Sequence, residues 1–322
     1  MLRKGIGIDI GTTQISISSA EGGLLLRDLN VAAIDTETGK VVEAGAAAVR
    51  TFKENSETLE LCWPVWNKVA RHVDVLTEIF RIFLRRALGR ALFKPDVMVS
   101  IPCDLTEAQT SAVEDALLDA GVRHVNFLEA PLCAAHGVGF DFAIPTGQMI
   151  VHMGASRTEI AMVFLGDMVT YVTVPVGGNQ FDAAIVDYIE QKHRLRIGKR
   201  TAEQIKIRIA YVGNHENCKT LDVKGKCLDT DDTRVVTLYS KEMLGALLDS
   251  LSTIMDAIFT VINRSGDEMR ADIVKGGIVL TGGGVLPGMD AFLESVMGIK
   301  ARVAPNAETA AVEGAARALS KL

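Results

Sequence analysis

"GIGIDIGTTQISIS", residues 5–18, and "MIVHMGASRTEIAMV", residues 149–163, are two copies of one pattern. In each, apolar residues flank one polar side chain, a glycine and small residues follow, and apolar and polar positions then alternate. Alternation with period two is the mark of a strand, so each copy predicts a strand, a tight turn and a second strand. Such a motif once in each half of the chain predicts two similar α/β domains facing one another across a cleft. The copies differ at one chemical position: Asp9 has His152 as its counterpart.

The text between and beyond the copies fits the same plan. "VDVLTEIFRIFLRRAL" carries Val75, Ile79, Phe80, Phe83, Leu84 and Leu88 at helical spacing, and "KPDVMVSIPC" (94–103) reads as a buried strand. Thr106 with Gln109 predicts a capping box, and Thr201 with Gln204 predicts a second. "VNFLEA" is a strand before a helix behind Pro131; "FDAAIVDYIEQKHRL", "KEMLGALLDSLSTIMDAIFTVI" and "TAAVEGAARAL" are further helices. "NHENCKTLDVKGKCLDTDDTRVVTL" (214–238) reads as hairpins and exposed turns. The expected division is 1–145 with 305–322 as one domain and 146–304 as the other, with small subdomains near 31–75 and 180–240.

Composition narrows the function. At 322 residues, with 48% apolar and 23% charged residues, the chain has a globular profile and room for two cores. A net charge of −6 with no basic run argues against nucleic acid. Apolar stretches are expected to fall short of the roughly 18 residues of a membrane span, and no secretory signal is expected before the first strand. Cys62, Cys103, Cys133, Cys218 and Cys227 form no CxxC pair, which fits reduced thiols in a cytoplasm, and six scattered histidines give no metal-ligand spacing.

Three glycine turns carry the chemistry. "DIGTTQ" (9–14) lets backbone amides and two hydroxyls approach phosphate oxygens, with Asp9 placed to hold a metal ion through water; it reads equally as an ordinary hairpin turn. "LTGGGVLPG" (280–288) lets a flat ligand approach the backbone; it reads equally as a plain strand-to-helix turn. Their order and separation are more specific than either alone.

The set resembles the actin-like ATPase superfamily and, within it, the bacterial rod-shape-determining actin homologues of the MreB/Mbl family. "IGIDIGTTQ" is similar to the first phosphate motif. "VPVGGNQFDAAIVDYIEQKHRLRIGKRTAEQIKIRIA" is the most family-specific text, and "GGIVLTGGGVLPGMD" resembles the adenosine loop. The resemblance implies duplicated actin-like (ribonuclease-H-like) domains and a cytoskeletal filament protein that binds ATP or ADP with Mg2+ in a cleft between them. It implies that Gly11, Thr12, Thr13 and Gln14 line phosphates (the family more often has Asn at the last) and that Asp9 sits on the magnesium–water shell. Gly154, Ala155, Ser156 and Arg157 would form the second phosphate loop. Glu203, Gln204 and Lys206 would flank ribose and adenine, although Glu203 and Lys206 also read as a solvated i,i+3 pair. Gly282, Gly283, Gly284, Val285 and Leu286 would close on the nucleoside. Partners would be further copies of the chain, the inner membrane surface and other rod-shape proteins, with a cytoplasmic location peripheral to that membrane. "RALFKPD" (90–96) would dip Leu92 and Phe93 into the bilayer, cations on either side; the same two residues also suit packing under the sheet.

Two departures bear on chemistry. The family's second motif has Asp where this chain has His152, a poor ligand for a hard cation, and glycines where it has Ala155 and Ser156. The family's water-polarising glutamate precedes the proline where this chain has Ala130; Glu129 lies one residue earlier, an offset that turns a side chain elsewhere. Arg157 suits either a phosphate or solvent. These departures predict impaired hydrolysis. A non-polymerising pseudo-ATPase scaffold and a small-molecule kinase of the superfamily are the alternatives; the kinase lacks a convincing substrate-side base.

Overall fold

The predicted strand, turn and strand at 5–18 are β1 (Gly5–Ile10) and β2 (Gln14–Ser19) of a computed structural model that describes residues 5–21, 23–64, 72–89, 94–213 and 219–321. The chain divides into two units, Met1–Phe140 with Glu308–Leu322, and Asp141–Ala307.

In the first unit β3 (Gly23–Leu29), β4 (Ala32–Asp35), β5 (Val41–Ala44), α1 (Ala46–Glu54), β6 (Leu59–Cys62) and α2 (Val73–Leu88) follow. Then come β7 (Asp96–Ile101), α3 (Glu107–Asp119), β8 (His124–Glu129) and α4 (Ala130–Val138). The second unit holds β9 (Gln148–Met153), β10 (Thr158–Phe164), β11 (Asp167–Val174), α5 (Gly178–His193), β12 (Leu195–Arg196) and α6 (Lys199–Ile209). It continues with β13 (Thr220–Cys227), β14 (Thr233–Tyr239), α7 (Ser240–Arg264), α8 (Asp267–Gly276), β15 (Ile278–Thr281), α9 (Met289–Met297) and β16 (Ala301–Val303). The chain then returns to the first unit as α10 (Ala310–Leu319).

The duplication is complete at the level of sheet topology. One five-stranded sheet runs β3-β2-β1-β7-β8 and the other β11-β10-β9-β15-β16. In both, the first three strands are antiparallel and the last three parallel. Each unit adds a small three-stranded sheet, β5-β4-β6 in the first and β12-β13-β14 in the second.

Apolar spacing explains the helices that position these sheets. The α2 face of Leu76, Ile79, Phe80, Phe83 and Leu84 is buried against the core containing Ile6, Ile8, Ile15 and Ile17. Thr106 and Gln109 form the expected reciprocal cap of α3. On the opposite side of the first sheet, alanine-rich α10 lies so close to β1 that a Cβ on Gly7 would fall 2.4 Å from the Val312 carbonyl oxygen.

Several elements differ from expectation. Gly198 occupies the cap position of α6, so Thr201 is already the third helical residue and no side-chain cap forms. The helices α1 and α8 and the strands β6, β12 and β16 are not foreseen; β12 and β16, at two and three residues, are too short to show a period. At 25 residues α7 is long and apolar enough to cross a membrane by length and composition, contrary to the expectation that no stretch would be. Its Met243, Leu247, Leu251, Ile254, Ile258 and Val261, however, form one stripe in the core of the second unit.

Candidate functional site

Each of the two glycine turns closes on itself with the same bond. Gly11 N donates to Gln14 O at 2.8 Å, and Gly154 N donates to Arg157 O at 2.8 Å. Asp9 is therefore matched by His152, and Gln14 by Arg157. The sheet register extends the match into a row across each sheet: Ser100, Asp9, Ser16 and Arg27 are neighbours in the first unit. Thr281, His152, Glu159 and Thr173 are neighbours in the second.

In the first unit Thr12, Thr13 and Gln14 are half-buried on the turn. Two residues that local sequence did not single out shape it. Asn30, 1% exposed, donates from Nδ2 to the Gly11 carbonyl at 3.0 Å, and its backbone amide donates to Thr13 O at 2.9 Å. Arg27 Nε donates to Gln14 Oε1 at 2.6 Å, and its Nη1 pairs with Glu308. Burial pushes the Asp9 carboxyl up to about 6, against the lowering effects of the Ser100 hydroxyl and the Arg27 cation.

The second turn is built from the same backbone with other chemistry. Its carbonyls are spent on a helix: Gly178 N donates to Gly154 O at 3.1 Å and Asn179 N to Ala155 O at 2.7 Å, so the loop caps α5. Burial pushes the His152 imidazole down to about 4, so it is neutral at pH 7. His152 Nδ1 lies 3.1 Å from Thr281 Oγ1, and that hydroxyl donates to the Val151 carbonyl at 3.3 Å. The hydroxyl has one proton, so Nδ1–H is the donor to it and Nε2 is a bare acceptor. Glu159, 2% exposed, faces His152 in register. Ser156 and Arg157 are half-buried on the turn.

The glycine loop packs on this second turn. Gly284 N donates to Met153 O at 2.9 Å. At Gly282, with φ +91°, a Cβ would lie 2.1 Å from the same oxygen, so only glycine fits. Gly283 is exposed and Val285 half-buried, whereas Leu286, 3% exposed, belongs to the hydrophobic core and offers only backbone to a ligand. On α6, Glu203 and Gln204 are exposed. The expected i,i+3 pair is not what holds Lys206: its Nζ lies 2.7 Å from Asp182 Oδ1 and donates to Gly178 O at 2.9 Å. Asp182 is 2% exposed; burial pushes its carboxyl up, partly offset by Lys206.

At the hydrolytic position Ala130 is buried as the first residue of α4. Ser100 pairs with Leu128 and Ile101 with Glu129, so strand alternation sets Glu129 on the face opposite Asp9. Glu129 does not replace the missing glutamate. Leu92 and Phe93 lie outside the described residues.

The donors do not fit a magnesium ion held by the protein itself. One carboxylate is present, beside an arginine; its counterpart is a neutral imidazole, and magnesium prefers oxygen. Among the described residues no group of three or more His, Cys, Asp or Glu could hold a metal ion.

Two units of identical sheet topology, each opening on a glycine-closed strand–turn–strand, define an actin-like protein. The fold of the whole chain superposes on MreB 5 of Spiroplasma citri bound to AMPPNP with a TM-score of 0.90, at 22% identity over 100% of this chain and 98% of that one. It superposes on a MamK double helical filament subunit with a TM-score of 0.79, at 18% identity over 100% of both chains. The family described as MreB/Mbl protein matches residues 3–322, and the chain belongs to that family. It is 32% identical to the cell shape-determining protein Mbl of Bacillus subtilis (strain 168), over 95% of this chain and 92% of that protein. To the cell shape-determining protein MreB of Escherichia coli (strain K12) it is 29% identical, over 100% and 95%.

Proposed function

We propose that this chain is a filament-forming, cell-shape-determining actin homologue that binds adenine nucleotide and hydrolyses it weakly or not at all. One observation carries the reading: the two turns share a backbone closure, while a neutral, half-buried histidine stands where the second would have its acid. A retained loop supports retained binding. A missing acid at His152, with Ala130 where a water-orienting carboxylate would stand, supports lost chemistry. The phosphate-binding residues would be Gly11, Thr12, Thr13 and Gln14 of the first turn and Gly154, Ala155, Ser156 and Arg157 of the second. Glu203, Gln204, Lys206 and the 282–286 loop would take the nucleoside, Leu286 through its backbone. The nucleotide-bound structure of a relative supports ligand class, and the filament of another supports self-association. Leu92 and Phe93, between Arg90 and Lys94, would hold the filament at the inner membrane surface.

Three measurements on the purified chain test this. Calorimetry with ATP and ADP reports binding, electron microscopy with and without nucleotide reports polymer, and single-turnover phosphate release reports chemistry. Saturable ATP binding with filaments and slow release is expected. Binding without filaments would leave a pseudo-ATPase scaffold, and no heat at millimolar ATP would remove the nucleotide from the reading. Co-sedimentation with anionic vesicles is expected to fall when Leu92 and Phe93 both become Ser.

A further inference from the structure

Arg27 is placed by register rather than by any local motif. It ends the row Ser100, Asp9, Ser16, Arg27, so its side chain shares a sheet face with the Asp9 carboxylate. Its Nε donates to Gln14 Oε1, on the phosphate-type turn itself, and its Nη1 reaches Glu308 just before α10. Among the described residues Nη2 has no hydrogen-bond partner, and the side chain is 30% exposed, so one edge of the fork is open to a ligand. An exposed ion pair to Glu308, whose side chain is 62% exposed, gives this arrangement little stability by itself.

We propose that Arg27 is the resident counter-charge for the phosphates of the bound nucleotide, taking the electrostatic place of a protein-anchored magnesium ion, so that nucleotide binding does not require a divalent cation. The inference rests on the nucleotide-binding reading and deepens it. A polyphosphate brings several negative charges, and the second turn has His152 where an acid would help to place a metal ion. The planar guanidinium donates to phosphate oxygens from its open Nη2 edge, and Gln14 holds its orientation until a phosphate oxygen takes or shares that contact. Because the charge sits on the first unit's own sheet, it is supplied before any cation arrives. The nucleotide would exchange the Gln14 contact for a phosphate oxygen or share Arg27 with it.

The test is calorimetric titration of the full chain with ATP and with AMP, in magnesium and in EDTA. For the parent, ATP affinity should differ less than about threefold between the two buffers. For Arg27→Ala, ATP affinity in EDTA should fall at least about tenfold, magnesium should restore part of it, and AMP affinity should change less than about threefold. Arg27→Lys should recover part of the loss in EDTA. Should Arg27→Ala fail to fold, Arg27→Gln removes the charge while keeping a polar contact and is judged by the same criteria. Equal losses for ATP and AMP, or a loss that magnesium does not change, would overturn the inference and leave Arg27 a structural residue. A parent that binds no ATP in either buffer overturns the nucleotide reading itself, and the inference with it.

Discussion

His152 stands directly opposite buried Glu159 in the β9–β10 ladder, an imidazole against a carboxylate on one face of the sheet. The neutral ring can sit there at little cost. His152→Asp would set a second carboxylate beside Glu159, and like charges in a desolvated place repel. The variant should lose about 1–3 kcal/mol at pH 7, or about 2–4 °C of melting temperature for each kcal/mol. His152→Asn, which adds no charge, should lose less than half as much. Thermal unfolding of both decides it, and equal losses would show that the vacated ring volume, not charge, sets the cost.

Asp9 and His152 should leave opposite marks on stability against pH. The folded Asp9 carboxyl is raised from 3.8 to about 6, so the folded chain holds that proton more tightly, and its contribution falls as pH rises through that window. The His152 imidazole is lowered from 6.5 to about 4, so the folded chain resists protonation, and its contribution grows as pH rises through that window. In the parent the two largely cancel. Relative to the parent, Asp9→Asn should gain stability from about pH 4.5 to about pH 6.5, and His152→Gln should lose it. Each difference should be about 1–2 kcal/mol, allowing for partial contact with water. Denaturant titrations at both pH values check the signs.

Lys206 and Asp182 should separate structural from ligand effects. Lys206→Met leaves a buried carboxyl without its cation and should cost about 3–5 kcal/mol. Lys206→Met with Asp182→Leu removes both charges and should recover most of that. If Lys206 also serves the nucleoside, the double variant regains stability while ATP affinity stays low. Recovery of both in calorimetry would make the pair purely structural.

Gly282→Ala should be among the most damaging small changes in the second unit. Its φ of +91° disfavours a side chain, and the new methyl would press on the Met153 carbonyl, which also accepts the Gly284 amide. A loss of at least about 2 kcal/mol is expected in denaturant unfolding, while Gly283→Ala, at an exposed position, should cost less than about 1 kcal/mol.

Local features of the sequence carried the elements whose signal is local. The paired strand–turn–strand text, the α2 stripe from Leu76 to Leu84 and the Thr106–Gln109 cap could all be read without a structure. The rows across the sheets could not. Arg27 meets Asp9 only through the register of three strands, and Asp182 meets Lys206 only through the packing of α5 on α6. Neither leaves a motif. Thr201 misled because a serviceable cap sequence lay inside a helix already begun at Lys199. Leu286 looked like loop but is core, since a glycine-rich stretch gives no period from which burial can be read.

If His152 and Ala130 are the reasons hydrolysis is weak, repair should need both. His152→Asp would restore an oxygen ligand on the second turn, although it must sit beside Glu159 until a cation arrives. Ala130→Glu would place a carboxylate at the start of α4, which packs with α10 over the Asp9 face, whereas Glu129 lies on the other side of the strand. Cation placement and water orientation act on one transition state, so either change alone should do little. The double variant should release phosphate at least about tenfold faster than the parent, a barrier change of about 1.4 kcal/mol. The gain should appear only with magnesium, because the restored acid acts through it, and Ala155, Ser156 and Arg157 set an upper limit by crowding the turn. Single-turnover phosphate release from parent, both singles and the double, each with magnesium and with EDTA, is the measurement. A parent that already matches the double variant would show that hydrolysis was never lost.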